Sequence, residues 1–558
     1  MIGVYCDESE KTVVREFFEL FKTPWEFIDS SATYDVVIST QYEMPDVGAN
    51  LIIIYSSSPV LFDAAEKIAA HSSGCKNLAD HKDEFFPVYG DLLSFQGRMT
   101  PLIYSEPGSE VVAIEILQPQ RKVIRVGFDL FREVAFLLSD GQPVENALFP
   151  TLESHISIMR SWILSAGIPL VEIPPVAFGY NYFACLTHDI DFVGIRRHRF
   201  DHTMWGFIYR SLIGSLLSVL RGRIGLKKLS KNWVAVFKLP FVFAGVADDF
   251  WGHFDRYAEI DNGFGSTFFF IPYKNRAGDK LVLENADHHR RVAPYGIGDV
   301  ENQVRHLADL GFEIGLHGID AWHSLEKGTR ELNQVAGITR EKEIGIRMHW
   351  LYYDHKSPAV LESIGFDYDA TLGYNETIGF KNGTTQVFRP LEVDKLLEIP
   401  LGIQDTALFY PRRLALKDVD AYQLCKRLLD AVDCHGGVLT LSWHDRSLEP
   451  ERLWGDFYIR LLQEVRTRGA WVGSARQIVR WFRQRRSIMF KESCVVDNKF
   501  RLKLAADELV SDPQMFLRFY IPSKFSGRMD SEKKYQVFDI PLNGETLIEM
   551  PFKNDEVA

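Results

Sequence analysis

The stretch that decides the fold runs Phe183-Ala184-Cys185-Leu186-Thr187-His188-Asp189-Ile190-Asp191. Residues 182–186 are apolar or small and are bounded by polar residues, which predicts a short buried strand. Because side chains alternate along a strand, Asp189 and Asp191 are expected on one face, just past its C-terminal end. Two adjacent carboxylates repel each other and are costly to bury, unless they share a metal ion or a proton. The alternative is that one of them only caps the following helix.

The bulk composition is that of an ordinary globular protein. The 558 residues predict three or four domains, at roughly 150 residues per domain. The net charge of −12 argues against a nucleic-acid partner. The N-terminus has no cationic region followed by an apolar one, and no apolar stretch reaches the roughly 20 residues that span a bilayer. The sequence therefore predicts a cytoplasmic protein.

Strand-like runs alternate with helical patterns after the boundary at Ile173-Pro174-Pro175. This alternation predicts a parallel α/β architecture. Several of the runs carry an ionisable residue at or just beyond the C-terminal end: Asp189, His317, His349 and His444. In a β/α barrel, active sites are assembled at that end from different strands, so the repetition predicts a site there.

Two flanking parts differ from the middle of the chain. Residues 1–150 predict an N-terminal α/β domain of unknown role, in which residues 64–71 have helical spacing. Residues 487–558 contain short, partly alternating runs between polar turns, which predict a small β-rich C-terminal domain.

A long insertion, about 196–263, follows the first strand of the middle region. It contains apolar helical segments, and basic residues accumulate around them, with Asp201 the only acid in the basic span. Apolar helices flanked by cations are typical of segments that lie on an anionic membrane surface, here through residues of about 196–240. The alternative is a helical lid packed on the barrel, with its cations on a solvated face. A peripheral position on the inner face of the membrane is thus a second prediction for location.

Four motifs in order resemble those of polysaccharide deacetylases of the NodB-homology type, the carbohydrate esterase family four. They are Thr187-His188-Asp189-Ile190-Asp191, the segment 315–323 with His317, then Arg347, and Leu441-Ser442-Trp443-His444. The resemblance covers residues 175–485. It implies a distorted parallel β/α barrel, so the predicted fold class is α/β, with this barrel between the two flanking domains.

The resemblance implies a divalent metal, most commonly zinc, with nickel or cobalt as alternatives, held by one aspartate and two histidines. Asp191 and His317 match the aspartate and the first histidine. The family places the second histidine four residues after the first, where this chain has Ala321. His323 is the candidate for that ligand, and Asp320 is the fallback.

The resemblance also implies the groups that move protons. Asp189 matches the general base, Arg347 matches the arginine that orients it, and His444 matches the general acid. A carboxylate is expected beside this histidine, and the sequence leaves Asp405 and Asp445 as alternatives. Aromatic residues next to the motifs are expected to bind substrate: Trp322, His349, Trp350 and Trp443.

The implied function is a metal-dependent hydrolase that removes an N-acetyl or O-acetyl group from a sugar or glycan precursor in surface-polysaccharide metabolism. One alternative is a deformylase or amidase acting on a lipid-linked aminosugar or a non-sugar amide. A second alternative is a non-catalytic glycan-binding protein whose site has degraded, for which Ala321 is the argument.

Overall fold

The structure is a computed structural model that describes residues 1–74, 77–80, 85–97, 99–106, 110–281, 288–496, 499–506, 511–522 and 535–551. The chain divides into two compact units. One comprises Met1–Gly179, Asn382–Thr384 and Trp481–Ala558, and the other comprises Tyr180–Lys381 and Thr385–Arg480. The two predicted flanking domains thus fall within a single unit, and the predicted barrel corresponds mainly to the other.

The N-terminal part of the first unit contains the helices α1 (Lys11–Phe21), α2 (Leu61–Ala65), α3 (Leu130–Ser139) and α4 (Thr151–Ser165). Its strands are β1 (Ile2–Tyr5), β2 (Trp25–Phe27), β3 (Tyr34–Ser39), β4 (Ala49–Tyr55), β5 (Ala69–Ser73), β6 (Asn77–Asp80), β7 (Phe85–Pro87), β8 (Leu92–Gln96), β9 (Thr100–Ser105), β10 (Val111–Leu117), β11 (Lys122–Val126) and β12 (Leu170–Glu172). The prediction of a helix over 64–71 is wrong, since α2 ends at Ala65 and β5 pairs antiparallel with β8.

The second unit begins with the strand that the opening stretch predicted. Its strands are β13 (Tyr182–Ile190), β14 (Thr267–Phe270), β15 (Glu313–Gly318), β16 (Ile346–Met348), β17 (Tyr368–Asp369), β18 (Leu397–Glu398), β19 (Leu401–Gln404), β20 (Val438–Ser442) and β21 (Ala470–Gly473). Its helices are α5 (His202–Tyr209), α6 (Ser215–Leu220), α7 (Leu226–Phe243), α8 (Arg256–Ile260), α9 (Glu301–Asp309), α10 (Leu325–Thr339), α11 (Ser357–Ile364), α12 (Asp405–Phe409), α13 (Asp418–His435), α14 (Gly455–Thr467) and α15 (Ala475–Ser487), the last of which continues into the first unit.

The C-terminal part of the chain adds β22 (Met489–Val496), β23 (Lys499–Ala505), β24 (Phe516–Pro522), β25 (Tyr535–Pro541) and β26 (Leu547–Pro551). These strands agree with the runs predicted after residue 487. They form two small antiparallel sheets, β22-β23-β26 and β12-β24-β25. The second of these sheets takes its edge strand from residues 170–172, so distant parts of the chain build one layer of the first unit.

The sheet of the second unit is parallel and curls on itself. Its order is β18-β17-β16-β15-β14-β13-β20-β19, and β21 also pairs with β13. The two end strands, β18 and β19, are separated in sequence only by Ile399 and Pro400. Because consecutive Cα atoms lie about 3.8 Å apart, the two ends of the sheet must come within about 12 Å of each other there. The fold class is therefore α/β with a curled parallel barrel sheet and additional parts, as the sequence predicted.

Strand β13 is the central element of this sheet. All nine of its residues are buried, and it extends through Ile190, further than the predicted segment of 182–186. Its first half pairs with β21 and its second half with β14, while β20 covers the other edge. Asp189 therefore lies inside the strand and Asp191 directly after it, where the alternation of side chains puts both on the inner face.

Candidate active site

Asp189 is fixed on the inner face of β13 by groups from two other strands. Arg347 Nη1 on β16 donates to Asp189 Oδ1 at 2.9 Å and to Thr187 Oγ1 at 2.7 Å. Ser442 Oγ on β20 donates to Asp189 Oδ2 at 3.2 Å. Arg347 is itself held by Ala370 O, to which its Nε donates at 2.8 Å, and its guanidinium lies over the Phe269 ring. Both carboxylate oxygens of Asp189 thus have fixed donors.

Asp191 lies beside two histidines from neighbouring strands. Its Oδ1 is 3.3 Å from His317 Nε2 and 3.5 Å from His349 Nε2. His317 Nδ1 lies 2.9 Å from Arg347 O and donates to it, so that Nε2 is the ring nitrogen that faces Asp191. This arrangement follows from the register, because His317 on β15 pairs with Arg347 on β16, and His349 comes two residues later.

His444 stands opposite both carboxylates, at the end of β20. Its Nε2 is 4.0 Å from Asp189 Oδ2 and 3.8 Å from Asp191 Oδ2. Its Nδ1 donates to Asp405 Oδ1 at 2.7 Å, and its backbone N–H donates to Asp405 Oδ2 at 2.8 Å. Asp445, the other carboxylate that the sequence left open, instead accepts from the backbone of Phe192 at 2.8 Å.

The electrostatics give Asp189 and His444 opposite ionisation states. Burial alone would raise the pKa of Asp189, but the charges of Arg347, His317 and His444 outweigh it, and the net shift is downward. Burial alone would lower the pKa of His444. The charge of Asp405 and its hydrogen bond to the ring, followed by the charges of Asp191 and Asp189, outweigh burial and raise the pKa to about 9. Asp189 is therefore a carboxylate at neutral pH and His444 an imidazolium.

The group formed by Asp191, His317 and His349 fits a divalent metal. One ligand atom from each lies within 4.8 Å of the other two. Asp191 Oδ1 is buried, and among the residues that the structure describes it has no hydrogen-bond partner. Burial, the largest influence, lowers the pKa of His349 well below its usual range despite the opposing charge of Asp191, so its imidazole is neutral and can act as a ligand. One carboxylate and two imidazoles form a donor set that suits zinc and leaves a coordination position open.

His323, the predicted second histidine ligand, lies in a different cluster. Its Nε2 is 3.1 Å from Asp279 Oδ2 and 3.7 Å from Asp320 Oδ1, and Lys327 Nζ lies 2.6 Å from the same Asp279 oxygen. Asp320, the fallback ligand, belongs to this cluster too. The position beside Asp191 and His317 is taken by His349, which the sequence analysis had assigned to the substrate pocket.

The aromatic residues predicted to bind substrate are distributed unevenly. Trp443 is fully buried in the core, with its ring stacked on Phe457, because it points to the opposite face of β20 from Ser442 and His444. Trp322 is buried against His323, at a ring-centroid distance of 4.3 Å. Trp350 is partly exposed and adjoins His349, with ring centroids 6.0 Å apart. Trp350 is thus the candidate with access to a ligand beside the site.

Sequence analysis missed three contributions to the site: the hydroxyl groups of Thr187 and Ser442, and His349 as a candidate metal ligand. A signal for all three was present. Each lies two residues from a residue already assigned, namely Asp189, His444 and Arg347, and side chains at that spacing share one face of a strand.

No family model and no curated protein matches the chain. Several solved structures resemble it. Agd3, a carbohydrate deacetylase, is 9% identical and covers 98% of both chains at a TM-score of 0.38. A chain named as a polysaccharide deacetylase, from Mycobacterium smegmatis, is 18% identical and covers 56% of this chain and 95% of its own at a TM-score of 0.34.

A third similar structure has a different activity in its name. It is the PuuE allantoinase, 13% identical, which covers 55% of this chain and 92% of its own at a TM-score of 0.32. Polysaccharide deacetylases are thus among the solved structures that resemble the chain, in agreement with the resemblance predicted from the four motifs. At this level of similarity, the function has to be argued from the site itself.

Proposed function

We propose that the protein is a metal-dependent hydrolase that removes an acetyl group from an N-acetylated, or alternatively O-acetylated, sugar or glycan precursor. The observation that carries this proposal is the placement of a clamped carboxylate, Asp189, opposite the hydrogen-bonded pair His444–Asp405, with the candidate metal-binding group beside them. A base, an acid and a Lewis-acid position in one site are suited to acyl transfer from nitrogen to water.

Asp191, His317 and His349 would hold the metal, most plainly zinc. A metal in this position supplies Lewis-acid polarisation to the acyl carbonyl and to water. The chain's own residues then have to orient the substrate, accept one proton and deliver another.

Asp189 acts as the general base. Its carboxylate takes a proton from the water whose oxygen bonds to the acyl carbon. Arg347 and Ser442 hold its two oxygens and prevent the side chain from turning toward other donors. Because Arg347 also lowers the pKa of this group, Asp189 is ionised and able to accept the proton at neutral pH.

His444 acts as the general acid. As the bond between the acyl carbon and the nitrogen breaks, its Nε2–H protonates the departing amine, which would otherwise be a poor leaving group. Asp405 fixes the Nδ1–H of the ring, so that Nε2 is the nitrogen that faces the substrate. One proton enters at Asp189 and one leaves from His444, so the two groups together balance the hydrolysis.

We propose a cytoplasmic setting in surface-glycan metabolism, with a nucleotide sugar or a lipid-linked precursor as the substrate. Free thiols support a reducing compartment: Cys6, Cys185, Cys425 and Cys494. Cys75 lies outside the described residues.

The test measures acetate release by the zinc-loaded protein from acetylated hexosamine oligomers and nucleotide-linked acetylhexosamines. We expect Asp189→Asn to lower kcat/KM by at least about 10²-fold, because general-base catalysis contributes about 10²–10⁴. Asp309→Asn, at an exposed aspartate on α9, is the matched control and should leave the rate unchanged.

The product identifies the acyl group. Formate in place of acetate would replace the proposed activity with that of a deformylase. No release of either acid, from protein shown to carry one zinc per chain, would overturn the proposal in favour of a glycan-binding protein.

A further inference from the structure

The insertion after β13 forms a helical pair with one clearly buried face. Helices α5 and α7 pack their inner side chains into a cluster that includes Phe207, Ala235, Leu239 and Trp251. On α7, the buried positions Asn232, Ala235, Leu239 and Val242 follow helical spacing. The inner face of the pair is therefore accounted for by packing within the protein.

The opposite face of the same helices is apolar and exposed. Along α5 and α6 the exposed side chains include Trp205, Tyr209 and Leu220, and along α7 they include Phe237 and Phe241. Phe237 is 70% exposed and Leu220 is 75% exposed. Single exposed apolar residues are ordinary, but two adjacent helices that both present them on the outer face form a contiguous apolar surface, which marks an interaction site.

This surface is tied to the barrel rather than free to detach. Arg210, in the π-helical turn between α5 and α6, forms an ion pair with Glu451, and the Glu451 N–H donates to Asn232 of α7 at 2.8 Å. Contrary to the expectation from the sequence, the helical segment His202–Leu220 is long and apolar enough to cross a membrane by length and composition. Crossing would require the ion pair to break and Arg210 to enter hydrocarbon, which is costly. A position along a surface keeps these contacts intact.

The Lys, Arg, Asp and Glu side chains on α5, α6 and α7 and on the turn that joins α6 to α7 are all basic. Arg221, Arg223, Lys227, Lys231 and Lys238 are exposed on the turn between α6 and α7 and on α7 itself. Between residues 196 and 247 the only acidic residue is Asp201, and it is engaged in capping α5 through Met204 N at 2.9 Å and in pairing with His198. The face is thus strongly basic in a chain whose net charge is −12.

This charge decides between two occupants of the apolar face. A second copy of the chain would bring the same cations face to face, with no acidic residue on the face to neutralise them. An anionic bilayer neutralises them through its lipid headgroups. Exposed tryptophan and tyrosine, here Trp205 and Tyr209, also suit the boundary between lipid and water.

We infer that the outer face of α5, α6 and α7, defined by Trp205, Tyr209, Leu220, Phe237 and Phe241 with its basic rim, docks the protein on an anionic lipid bilayer. The helices lie in the interface with their apolar side chains among the acyl chains and their cations at the headgroups. This inference is independent of the proposed catalytic activity, since it concerns binding alone.

The test is flotation of the full chain with vesicles of phosphatidylcholine, with or without phosphatidylglycerol. We expect binding to the anionic vesicles at least about tenfold stronger than to neutral ones, and weaker binding as salt is raised. The double variants Phe237→Ser/Phe241→Ser and Lys227→Glu/Lys231→Glu should each reduce binding at least about tenfold. Val419→Ser, at an exposed apolar position on α13, is the matched control and should bind as the wild type does.

Circular dichroism of each variant verifies that the fold is retained, and acetate release from a soluble substrate reports catalysis separately. Failure to float with anionic vesicles would overturn the inference, as would equal binding to neutral ones. A concentration-dependent dimer that the Phe237→Ser/Phe241→Ser variant abolishes, without lipid binding, would identify the face as an interface between copies instead.

Discussion

Replacing His349 by alanine is the most direct test of the candidate metal site. The sequence analysis chose His323 as the second histidine ligand because the motif position holds Ala321, whereas the structure brings His349 to Asp191 and His317. The two assignments make opposite predictions. His349→Ala should remove the metal from the site, and His323→Ala should leave it in place.

The expected size of the effect follows from the number of donors. Zinc sites with four protein ligands are stabilised by about 10–16 kcal/mol, which is roughly 3 kcal/mol per ligand. Loss of the His349 imidazole leaves Asp191 and His317, so the dissociation constant for zinc should rise by about 100-fold or more. His323 contributes to a cluster with Asp279 and Asp320, and its removal should change the affinity by less than about twofold.

The assay is a competition titration of the apoprotein against a chromophoric zinc chelator, supported by metal content from mass spectrometry. His317 is a candidate ligand in both assignments, so His317→Ala shows how far zinc affinity falls when a ligand is removed. Circular dichroism shows that each variant retains its fold. If His349→Ala binds zinc as tightly as the wild type while His323→Ala does not, the assignment from the geometry is wrong and the choice of His323 from the sequence is right.

Three further perturbations test single contacts. Asp405→Asn should lower kcat by about 10²-fold, because the His444 ring loses the carboxylate that holds its Nδ1–H. Zinc affinity should stay unchanged, because Asp405 is not a candidate metal ligand. An unchanged kcat would contradict the proposed role of the His444–Asp405 pair. Burial lowers the pKa of His155 to about 3 in the folded protein, whereas the pKa in the unfolded chain is near 6.5. Between these two pH values only the unfolded chain binds a proton on His155, so the free energy of unfolding falls as the pH drops from about 6.5 toward 3. His155→Leu should remove this dependence, up to about 1.4 kcal/mol per pH unit in urea unfolding, and an unchanged slope would refute the cause. Gly345→Ala would place a Cβ 1.9 Å from the buried Tyr368 Cζ, so thermal denaturation should show a loss of about 1–3 kcal/mol, and a wild-type melting temperature would exclude the clash.

The long elements of the barrel could be predicted from the sequence because their patterns are local. Strand β13 is a run of buried residues, and the ionisable residues at its end and at the ends of β15 and β20 mark the site. Strand β17, of only two residues, carries no periodicity and exists only through its pairing with β16 and β18. Pairing likewise overrides the helical spacing of residues 64–71, where β5 joins β8.

The candidate metal ligands were predicted less completely because they depend on register between strands. Spacing along one loop pointed to His323, but the cluster combines β15 with the end of β16. The pairing of His317 with Arg347 brings His349 into range, and no pattern within either strand specifies that pairing. The two-residue spacing of Arg347 and His349 predicts that both side chains lie on one face. Which residues of the neighbouring strands they contact is visible only in the three-dimensional structure.

This dependence on register bears on the argument that Ala321 marks a degraded site. Ala321 is fully buried, and a Cβ added to Gly328 of α10 would lie 3.0 Å from its Cα, so the helix packs directly against this position and leaves no room for an imidazole. A histidine there would have to displace α10. The chain instead presents His349 from the adjacent strand, with its Nε2 3.5 Å from Asp191. The missing histidine of the motif is therefore matched by another donor at the same centre, and the base, acid and arginine around it keep their contacts. Because a carboxylate that is largely removed from water is costly without a cation nearby, the placement of Asp191 between His317 and His349 favours a metal-binding site over a degraded one.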